Sequence, residues 1–454
     1  MADAEDAGSQ AETAMSAERL SSAEPGFEAA LADFMARPRA TDTDVSGQVA
    51  AIIADVRARG GAAVADYTAR FDRLQIDPGG LASDAVDLQA LAADCPGDLR
   101  SAIDFAADRI ATYHQAQRPE DHSFTDAAGI GLGWRWTPLD SVGLYVPGGR
   151  ASYPSSVLMN AVPARIAGVE RVVMVAPAPD GDLSPAVAYA ALRAGVDAYY
   201  PVGGAQAVAA LAFGAGALAP VDKIVGPGNA YVAEAKRQVF GTVGIDAIAG
   251  PSEILVIADD TAQPDWIAAD LLSQSEHDPS SQSILVTPSP ALADAVTKAV
   301  AAELSQLPAD NCAHDAWRAH GAIILSADLD EAAAISNRFA PEHLELAIAD
   351  PDALLGSIRH AGAVFLGHHA PEALGDYVTG SNHVLPTSRA ARFSSGLGLQ
   401  DFLKRMSVQR ISPEGFNHLA PAALRLAEAE RLPAHHRSVA IRTNHAGDRS
   451  RATE

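Results

Sequence analysis

Gln274 and His277 are the first of several side-chain pairs whose types and spacing suit catalysis or metal binding. They lie three residues apart in LLSQSEHDPSSQSILVT, at the predicted C-terminal end of a helix. Residues three apart on a helix face the same side, so the amide oxygen and the imidazole can bind one metal ion. A histidine at a helix end is more often an ordinary surface or core residue. The pair therefore indicates a metal site only together with other ligands.

Two further pairs combine an acid with an imidazole. Glu342 and His343 are adjacent in FAPEHLEL, so their side chains point in different directions and can serve two separate proton transfers. Asp376 and His383 stand in HHAPEALGDYVTGSNHVLPTS, a segment full of Gly, Ser, Asn and Pro. Core packing gives no reason for an acid or an imidazole in such a loop, and loops of this kind carry function more often than structure.

The last polar candidates, Glu430, His435 and His436, lie in the C-terminal segment. A solvated helix face explains residues of this kind without any function. Their spacing alone does not decide between that explanation and a role in a site.

Three glycine-rich segments can bring backbone N–H groups to an anion at a helix start, at 142–164, 202–214 and 223–236. Taken singly, each is more often a tight turn than a phosphate site. No GxGxxG follows a predicted strand and no GxxxxGK[ST] occurs in the sequence. Neither standard nucleotide-binding signature therefore supports a cofactor.

The elements that must position these residues alternate between strands and helices. After an α-rich stretch from residue 27 to about 113, short β-branched runs alternate with helical segments from residue 171, and a second such series starts at 253. This alternation predicts two open, mostly parallel α/β sheets. Ligands of such sheets bind at the carboxyl ends of the strands, and we expect each candidate segment at such a junction. Beyond residue 396 the pattern predicts a helical tail with no strand and no core of its own, which must dock on something.

Composition excludes several classes of protein. The chain has 454 residues, a formal charge of −24 and only four lysines, which argues against a nucleic-acid-binding protein. The acidity serves solubility, with adaptation to salt as the alternative. Two cysteines, outside any CxxC spacing, and an N-terminal segment without basic and apolar regions indicate the cytoplasm. The uncharged segment 198–221 is long enough to cross a bilayer, but its Pro and Gly residues predict a strand, a turn and a short helix.

The chain closely resembles the histidinol dehydrogenase family from about residue 27 to 442. The resemblance rests on motifs that stand in the family's order, namely VPGGRASYPSSVLMNAVPA, VGGAQAVAALAFG, GPGNAYVAEAK, AGPSEILVIAD, SQSEHDPSSQ, FAPEHLEL and GDYVTGSNHVLPT. It implies an NAD-dependent zinc enzyme that oxidises L-histidinol to L-histidine through L-histidinaldehyde, the last step of histidine biosynthesis.

The resemblance also implies a role for each matching residue. One Zn²⁺ per subunit would be bound by Gln274, His277, Asp376 and His435, with His436 as an adjacent imidazole that can replace His435. The proton-transferring pair falls on Glu342 and His343, and the NAD⁺ contacts fall on Tyr145, Gln206 and Asn229. The substrate contacts fall on Ser252, Gln274, His277, His343, Asp376, Glu430 and His435.

The family is a homodimer whose tail crosses to the partner, so Glu430 and His435 would complete the neighbouring subunit's site. The predicted organisation is a disordered acidic tail (1–25), a first α/β domain (26–144 with 257–396), a second α/β domain (145–256), a helical dimerisation tail (397–446) and a disordered end (447–454). No nucleic acid and no membrane is expected as a partner.

The chemistry agrees with this assignment. One amide oxygen, two imidazoles and one carboxylate suit zinc, which would orient the two nitrogens of histidinol rather than generate a hydroxide. Cys95 and Cys312 lie away from every motif, so a cysteine nucleophile in the aldehyde step is discarded. Two alternatives stay open: a dehydrogenase on the same scaffold for another small polar alcohol, and a zinc-bound dimeric structural protein that has lost catalysis. The second would need a broken Glu342–His343 pair, which is intact here.

Overall fold

The computed structural model describes residues 17–39, 45–78, 88–148, 153–248 and 250–448. Outside these residues lie most of the predicted acidic tail, positions 149–152 of the first glycine-rich segment, and the C-terminal residues 449–454. The chain divides into two compact units. The first unit comprises residues up to 117 and 139–402, and the second comprises residues 118–138 and those from 403 onward.

The described strands are β1 (Glu18–Ser21), β2 (His122–Thr125), β3 (Gly131–Pro138), β4 (Ser141–Tyr145), β5 (Arg171–Val175), β6 (Ala198–Tyr200), β7 (Lys223–Val225), β8 (Gly244–Ile245), β9 (Glu253–Ala258), β10 (Gln282–Thr287), β11 (Ala322–Leu325), β12 (His343–Ala347), β13 (Ala363–Leu366) and β14 (Leu403–Arg410). The described α-helices are α1 (Phe27–Ala36), α2 (Ser46–Arg59), α3 (Gly61–Phe71), α4 (Leu88–Ala93), α5 (Gly97–Ala116), α6 (Pro154–Ala167), α7 (Pro185–Arg193), α8 (Gly204–Phe213), α9 (Ala230–Val239), α10 (Pro264–Ser275), α11 (Pro290–Leu304), α12 (Ala313–His320), α13 (Leu329–Phe339), α14 (Pro351–Leu355), α15 (Glu372–Tyr377), α16 (Pro413–Ala429) and α17 (Pro433–Asp448).

The first sheet contains six parallel strands in the order β1-β11-β10-β9-β12-β13. Helices cover both of its faces, and strands buried on both sides are continuous apolar runs rather than alternating ones. β9 reads EILVIA and is buried at every position. Its alternate residues enter two apolar clusters, one formed with α10, α11 and α12 and the other with α1 and α13. This packing fixes the position of β9, which borders the candidate site.

The second sheet contains five parallel strands in the order β6-β5-β4-β7-β8. A single large apolar cluster joins this sheet to α2, α3, α8 and α9. The predicted fold class, two open parallel α/β sheets, is confirmed. The strand order reverses at β4, because β5 lies on one side of it and β7 on the other. Such a reversal opens a crevice at the carboxyl ends of the strands.

The helices and the domain boundaries differ from the predicted organisation in detail. α2 and α3 pack on the second sheet, although residues 26–144 were assigned to the first domain. The boundaries at 144/145 and 256/257 fall inside β4 and β9, which pair with strands of the second and the first sheet respectively. Burial of their apolar faces, rather than closeness in sequence, decides which sheet each segment joins.

The prediction of a tail without a strand is wrong, because β14 pairs antiparallel with β3 over eight residue pairs. β14, β3 and β2 form a separate sheet of the second unit, followed by α16 and α17. The sequence LKRMSVQR is mostly polar, and β14 is exposed at every position after Leu403. At the other end of the chain, β1 lies within the predicted disordered segment 1–25 and pairs in parallel with β11.

No helix in the described ranges is both long and apolar enough to cross a membrane. The uncharged segment 198–221 forms β6, a turn and the ten-residue helix α8, as its glycines and prolines predict.

Candidate active site

His343, the first residue of β12, has a buried imidazole in which one nitrogen is hydrogen-bonded and the other is not. Its Nδ1 lies 2.9 Å from the main-chain oxygen of Glu253. A carbonyl oxygen can only accept, so Nδ1 carries the proton and Nε2 carries the lone pair. Nε2 is buried and has no hydrogen-bond partner. Burial lowers the pKa of His343 to about 4, so the ring stays neutral and Nε2 can accept a proton from a bound molecule.

Glu342 lies beside this imidazole and, like it, is held by the main chain of Glu253 in β9. Its Oε2 accepts a hydrogen bond of 2.9 Å from the main-chain N–H of Glu253 and lies 3.7 Å from Nδ1 of His343. Burial raises the pKa of Glu342 well above its usual range, and the carboxylates of Glu253, Asp376 and Glu372 add to the effect. A carboxyl group with a raised pKa can both donate and accept a proton near neutral pH.

The short turn before β12 is tightly constrained. α13 ends at Ala340, which is buried and adopts a positive φ of 48°. The N–H of Gly362 donates to the carbonyl of Pro341 at 2.9 Å. A Cβ at Gly362 would lie 2.6 Å from the carbonyl oxygen of Glu342. The sequence therefore needs glycine at position 362 to bring β13 close enough to hold Glu342 and His343 in place.

α15 supplies two carboxylates on the Nε2 side of His343. Glu372 Oε1 lies 3.8 Å and Asp376 Oδ1 lies 4.0 Å from Nε2. Oε1 of Glu372 is buried without a hydrogen-bond partner. Burial and the neighbouring charge of Asp376 raise the pKa of Glu372 to about 8. One ligand atom from each of these three residues lies within 4.8 Å of the other two, a geometry that can hold a cation.

Gln274 and His277 contribute at the C-terminal end of α10. Nε2 of the fully buried Gln274 lies 3.0 Å from Nδ1 of His277, and its Oε1 has no hydrogen-bond partner. The ring of His277 is close enough to lower the pKa of both His343 and His383. Nδ1 of His383 in turn lies 3.9 Å from Oδ1 of Asp376. Amide, imidazole and carboxylate donors from three separate segments thus lie near His343, with Gln274 buried and His277 exposed.

This site lies at the amino ends of β9 and β12, not at the carboxyl ends that the parallel-sheet rule predicted. His343 opens β12, and Ser252 directly precedes β9. The polar side chains come from connections that enter strands, and α15 runs back beside β12 to bring Asp376 to the same end. The rule does not hold here because the candidate catalytic groups lie on the connections that lead into the strands, not on those that leave them.

The predicted NAD contacts do follow the rule. Tyr145 ends β4, and its hydroxyl accepts from the N–H of Gly204 at 3.0 Å, at the start of α8. Asn229 caps α9 after β7, with Oδ1 accepting from the N–H groups of Tyr231 and Val232. These positions flank the crevice where the strand order reverses. Gln206, in the first turn of α8, is buried with Oε1 unpartnered.

The structure brings together six of the residues that the sequence analysis singled out. Gln274, His277, Glu342, His343 and Asp376 lie around one position, and His383 lies with them. Glu430 and His435 belong to the second unit and are exposed there.

Sequence reasoning missed Glu253 and Glu372. Glu253 is a buried acid that opens an apolar strand, and Glu372 stands one helical turn before Asp376. A charge in an otherwise apolar run and an acid at i−4 from a candidate ligand are the signals that could have identified them.

Comparisons with known proteins identify the family of the chain. The family model for histidinol dehydrogenase matches residues 35–443. The histidinol dehydrogenase of Cereibacter sphaeroides is 59% identical over 423 residues, which cover 93% of this chain and 98% of the relative. That of Rhizobium meliloti is 57% identical over 426 residues, covering 94% and 98%.

The chain belongs to the histidinol dehydrogenase family. The crystal structure of histidinol dehydrogenase from Elizabethkingia anophelis matches with a TM-score of 0.89 at 35% identity, covering 95% of this chain and 99% of that one. Membership makes the chain an oxidoreductase of histidine biosynthesis, which confirms the predicted family and reaction class. The Glu342–His343 pair is present and buried in this chain.

Proposed function

We propose that this enzyme oxidises L-histidinol to L-histidine through L-histidinaldehyde, with NAD⁺ as oxidant, in the cytoplasm. The observation that carries the proposal is the unpartnered, buried Nε2 of His343, held neutral beside Glu342. An alcohol oxidation needs a base that takes the hydroxyl proton while a hydride leaves the adjacent carbon. A buried, neutral imidazole whose Nε2 has no hydrogen-bond partner provides that base.

The same base serves both oxidations. In the first, Nε2 of His343 takes the proton of the histidinol hydroxyl, and the carbon gives up a hydride to form the aldehyde. Water adds to the aldehyde, and Nε2 then takes a hydroxyl proton of the hydrate while a second hydride leaves. Each histidinol gives up two hydrides and two protons to reach the carboxylic acid, and a third proton leaves as that acid ionises. His343 must therefore release its first proton before the second oxidation.

Glu342 would activate the water that hydrates the aldehyde. One oxygen of its buried carboxyl accepts a hydrogen bond from the N–H of Glu253, and burial raises the pKa of the group well above its usual range, which makes it a stronger proton acceptor than an ordinary carboxylate. Glu342 would take one proton from the water as the water oxygen bonds to the carbonyl carbon, and would return it to the carbonyl oxygen. The aldehyde, which has no hydroxyl proton for His343 to take, thus becomes a hydrate that has one.

Tyr145, Gln206 and Asn229 would hold NAD⁺ at the crevice of the second sheet, where the unpartnered Oε1 of Gln206 and the close approach of α8 and α9 suit a dinucleotide. Bound NAD⁺ would accept a hydride in each of the two oxidations. The chain's part is to place the nicotinamide against the substrate and to exclude water.

Gln274, His277 and Asp376 would bind Zn²⁺. The fit rests on donor chemistry: Gln274 has a buried amide oxygen without a hydrogen-bond partner and lies beside the imidazole of His277, and Asp376 offers a carboxylate in a cluster of possible ligand atoms with His343 and Glu372. Bound Zn²⁺ would orient the amine and imidazole nitrogens of histidinol. These residues then fix the substrate so that its hydroxyl reaches His343.

We also propose a homodimer in which Glu430 and His435 complete the zinc and substrate site of the other subunit. Both residues are exposed in the second unit, which also exposes large apolar side chains. Met406 is 51% exposed, Val408 50% and Leu426 63%. Apolar surface of this kind is typical of a face that another chain covers.

Substitution of the two catalytic residues should separate the two oxidations. We expect His343→Asn to lower the rates of histidinol and histidinal oxidation together, by about 10²–10⁴-fold, because the base is used in both. We expect Glu342→Gln to impair oxidation of added histidinal more than formation of the first NADH from histidinol. Rapid-mixing measurement of NADH on each substrate tests this, with His369→Asn, an exposed histidine outside the site, as control. Equal losses on both substrates in Glu342→Gln would contradict the water-activating role.

Removal of the metal should abolish activity without unfolding the protein. The helix α10, which carries Gln274, packs in an apolar cluster with β9, α11 and α12, so the metal is not needed to hold it. Dialysis against a chelator should eliminate NADH production while the urea midpoint of the first unit stays close to its starting value, and added Zn²⁺ should restore activity. Unchanged activity after verified metal loss would exclude the metal, and immediate melting would make it structural.

A shared active site predicts complementation between two inactive variants. His435→Asn should inactivate the site of the opposite subunit, whereas His343→Asn inactivates its own. After exchange of subunits, about half of the dimers are mixed and each has one intact site, so the mixture should recover on the order of a quarter of wild-type activity. A mixture as inactive as its parents, with exchange verified by mass, would place His435 in the site of its own subunit.

A further inference from the structure

Glu253 contacts both catalytic residues through its main chain. Its N–H donates to Oε2 of Glu342 at 2.9 Å, and its carbonyl accepts from Nδ1 of His343 at 2.9 Å. The position of one peptide segment therefore decides where the carboxylate lies and which nitrogen of the imidazole is free. Any displacement of Glu253 displaces both groups.

The side chain of Glu253 is what anchors that segment. It is a carboxylate of which 6% is exposed, and each of its oxygens accepts hydrogen bonds. Oε2 accepts from the N–H of Glu342 at 3.3 Å, so the two residues bond reciprocally. Oε1 accepts from the N–H of Ser388 at 2.9 Å and from the guanidinium of Arg39. One carboxylate thus joins the catalytic turn, the loop at 388 and the segment that follows α1.

Arg39 is the counter-charge of this buried carboxylate. Its side chain is 14% exposed, and it lies in a small cleft formed with Met35, Phe339 and Arg389. A buried carboxylate needs a paired cation or several hydrogen-bond donors, and loss of its partner leaves an uncompensated charge. The loop that Glu253 also holds has positive φ values at Ser388 (54°) and Arg389 (65°), which L-residues adopt only where neighbouring contacts fix them.

We propose that Arg39 and Glu253 are positioning residues that hold Glu342, and through it the aldehyde-hydrating step, in the productive geometry. The proposal rests on the function proposed above. It adds two residues that contact neither substrate nor cofactor in that scheme. Glu342 is held by both the side chain and the main chain of Glu253, whereas His343 is held by the main chain alone. Loss of the ion pair should therefore disturb Glu342 more than His343.

The test compares the two oxidations in variants of the pair. We expect Arg39→Met to lower the rate of histidinal oxidation about 10–10²-fold, as a displacement of about 1 Å does, and to change the first oxidation of histidinol several-fold less. KM values for both substrates should stay within about twofold. Arg39→Lys should recover part of the loss, because it restores a cation beside Glu253. In Arg39→Met with Glu253→Gln the losses should be less than multiplicative, since both changes break one interaction.

Arg37→Met is the matched control. Arg37 lies two residues before Arg39 in the same segment and pairs with Glu18 at the surface, so its loss changes the charge of the segment without reaching the site. This variant should oxidise both substrates at the wild-type rate.

The outcomes separate the proposal from the function on which it rests. Wild-type rates of both oxidations in folded Arg39→Met would overturn the proposal. So would equal losses on both substrates that Arg39→Lys does not relieve, since these indicate general destabilisation. If Arg39→Met does not fold, Arg39→Lys and Arg39→Gln are compared instead. A selective loss of histidinal oxidation in Arg39→Gln but not in Arg39→Lys supports the positioning role. A wild-type enzyme that forms no NADH from histidinol would instead refute the proposed function.

Discussion

The hydrogen bond from Nδ1–H of His343 to the main-chain carbonyl of Glu253 is the interaction on which the site depends. It joins the first residues of β12 and β9, two neighbouring strands of the six-stranded parallel sheet that are buried at every position. Because a carbonyl cannot donate, the bond fixes one tautomer and leaves Nε2 as the basic nitrogen. The rest of the first unit can be understood as the support of that bond: β9 is held by two apolar clusters, and Glu253 is anchored through its carboxylate.

The second constraint is the concentration of buried acids around a neutral imidazole. Glu342, Glu345 and Glu372 are almost completely buried, and burial raises the pKa of each. So many carboxyl groups can share one dry region only if they hold protons or bind a cation. The site can do both, because Glu372 and Asp376 face Nε2 of His343 and the unpartnered oxygen of Gln274 belongs to the adjoining helix. A region built in this way suits a reaction that moves protons.

Much of the fold could be predicted from the sequence, because continuous apolar strands such as EILVIA alternate with helices. The pairing of Gln274 with His277 and of Glu342 with His343 was likewise visible, since neighbours on a helix or a turn are neighbours in space. Local sequence patterns could not predict which end of the sheet carries the site, because this depends on α15 running back along β12. Glu253 escaped notice for a related reason: its partners Arg39, Glu342 and Ser388 lie 89 to 214 residues away in sequence. The helices α2 and α3 joined the second sheet through the same kind of long-range burial.

The tautomer of His343 can be measured directly by ¹⁵N NMR of the histidine-labelled protein, with the His343 signals identified by their loss in His343→Asn. The account predicts a protonated Nδ1 and an unprotonated Nε2 at neutral pH. Because burial holds the pKa near 4, that neutral form should persist as the pH falls well below neutral. A proton on Nε2, or an imidazolium ring at pH 7, would contradict the assignment of Nε2 of His343 as the base.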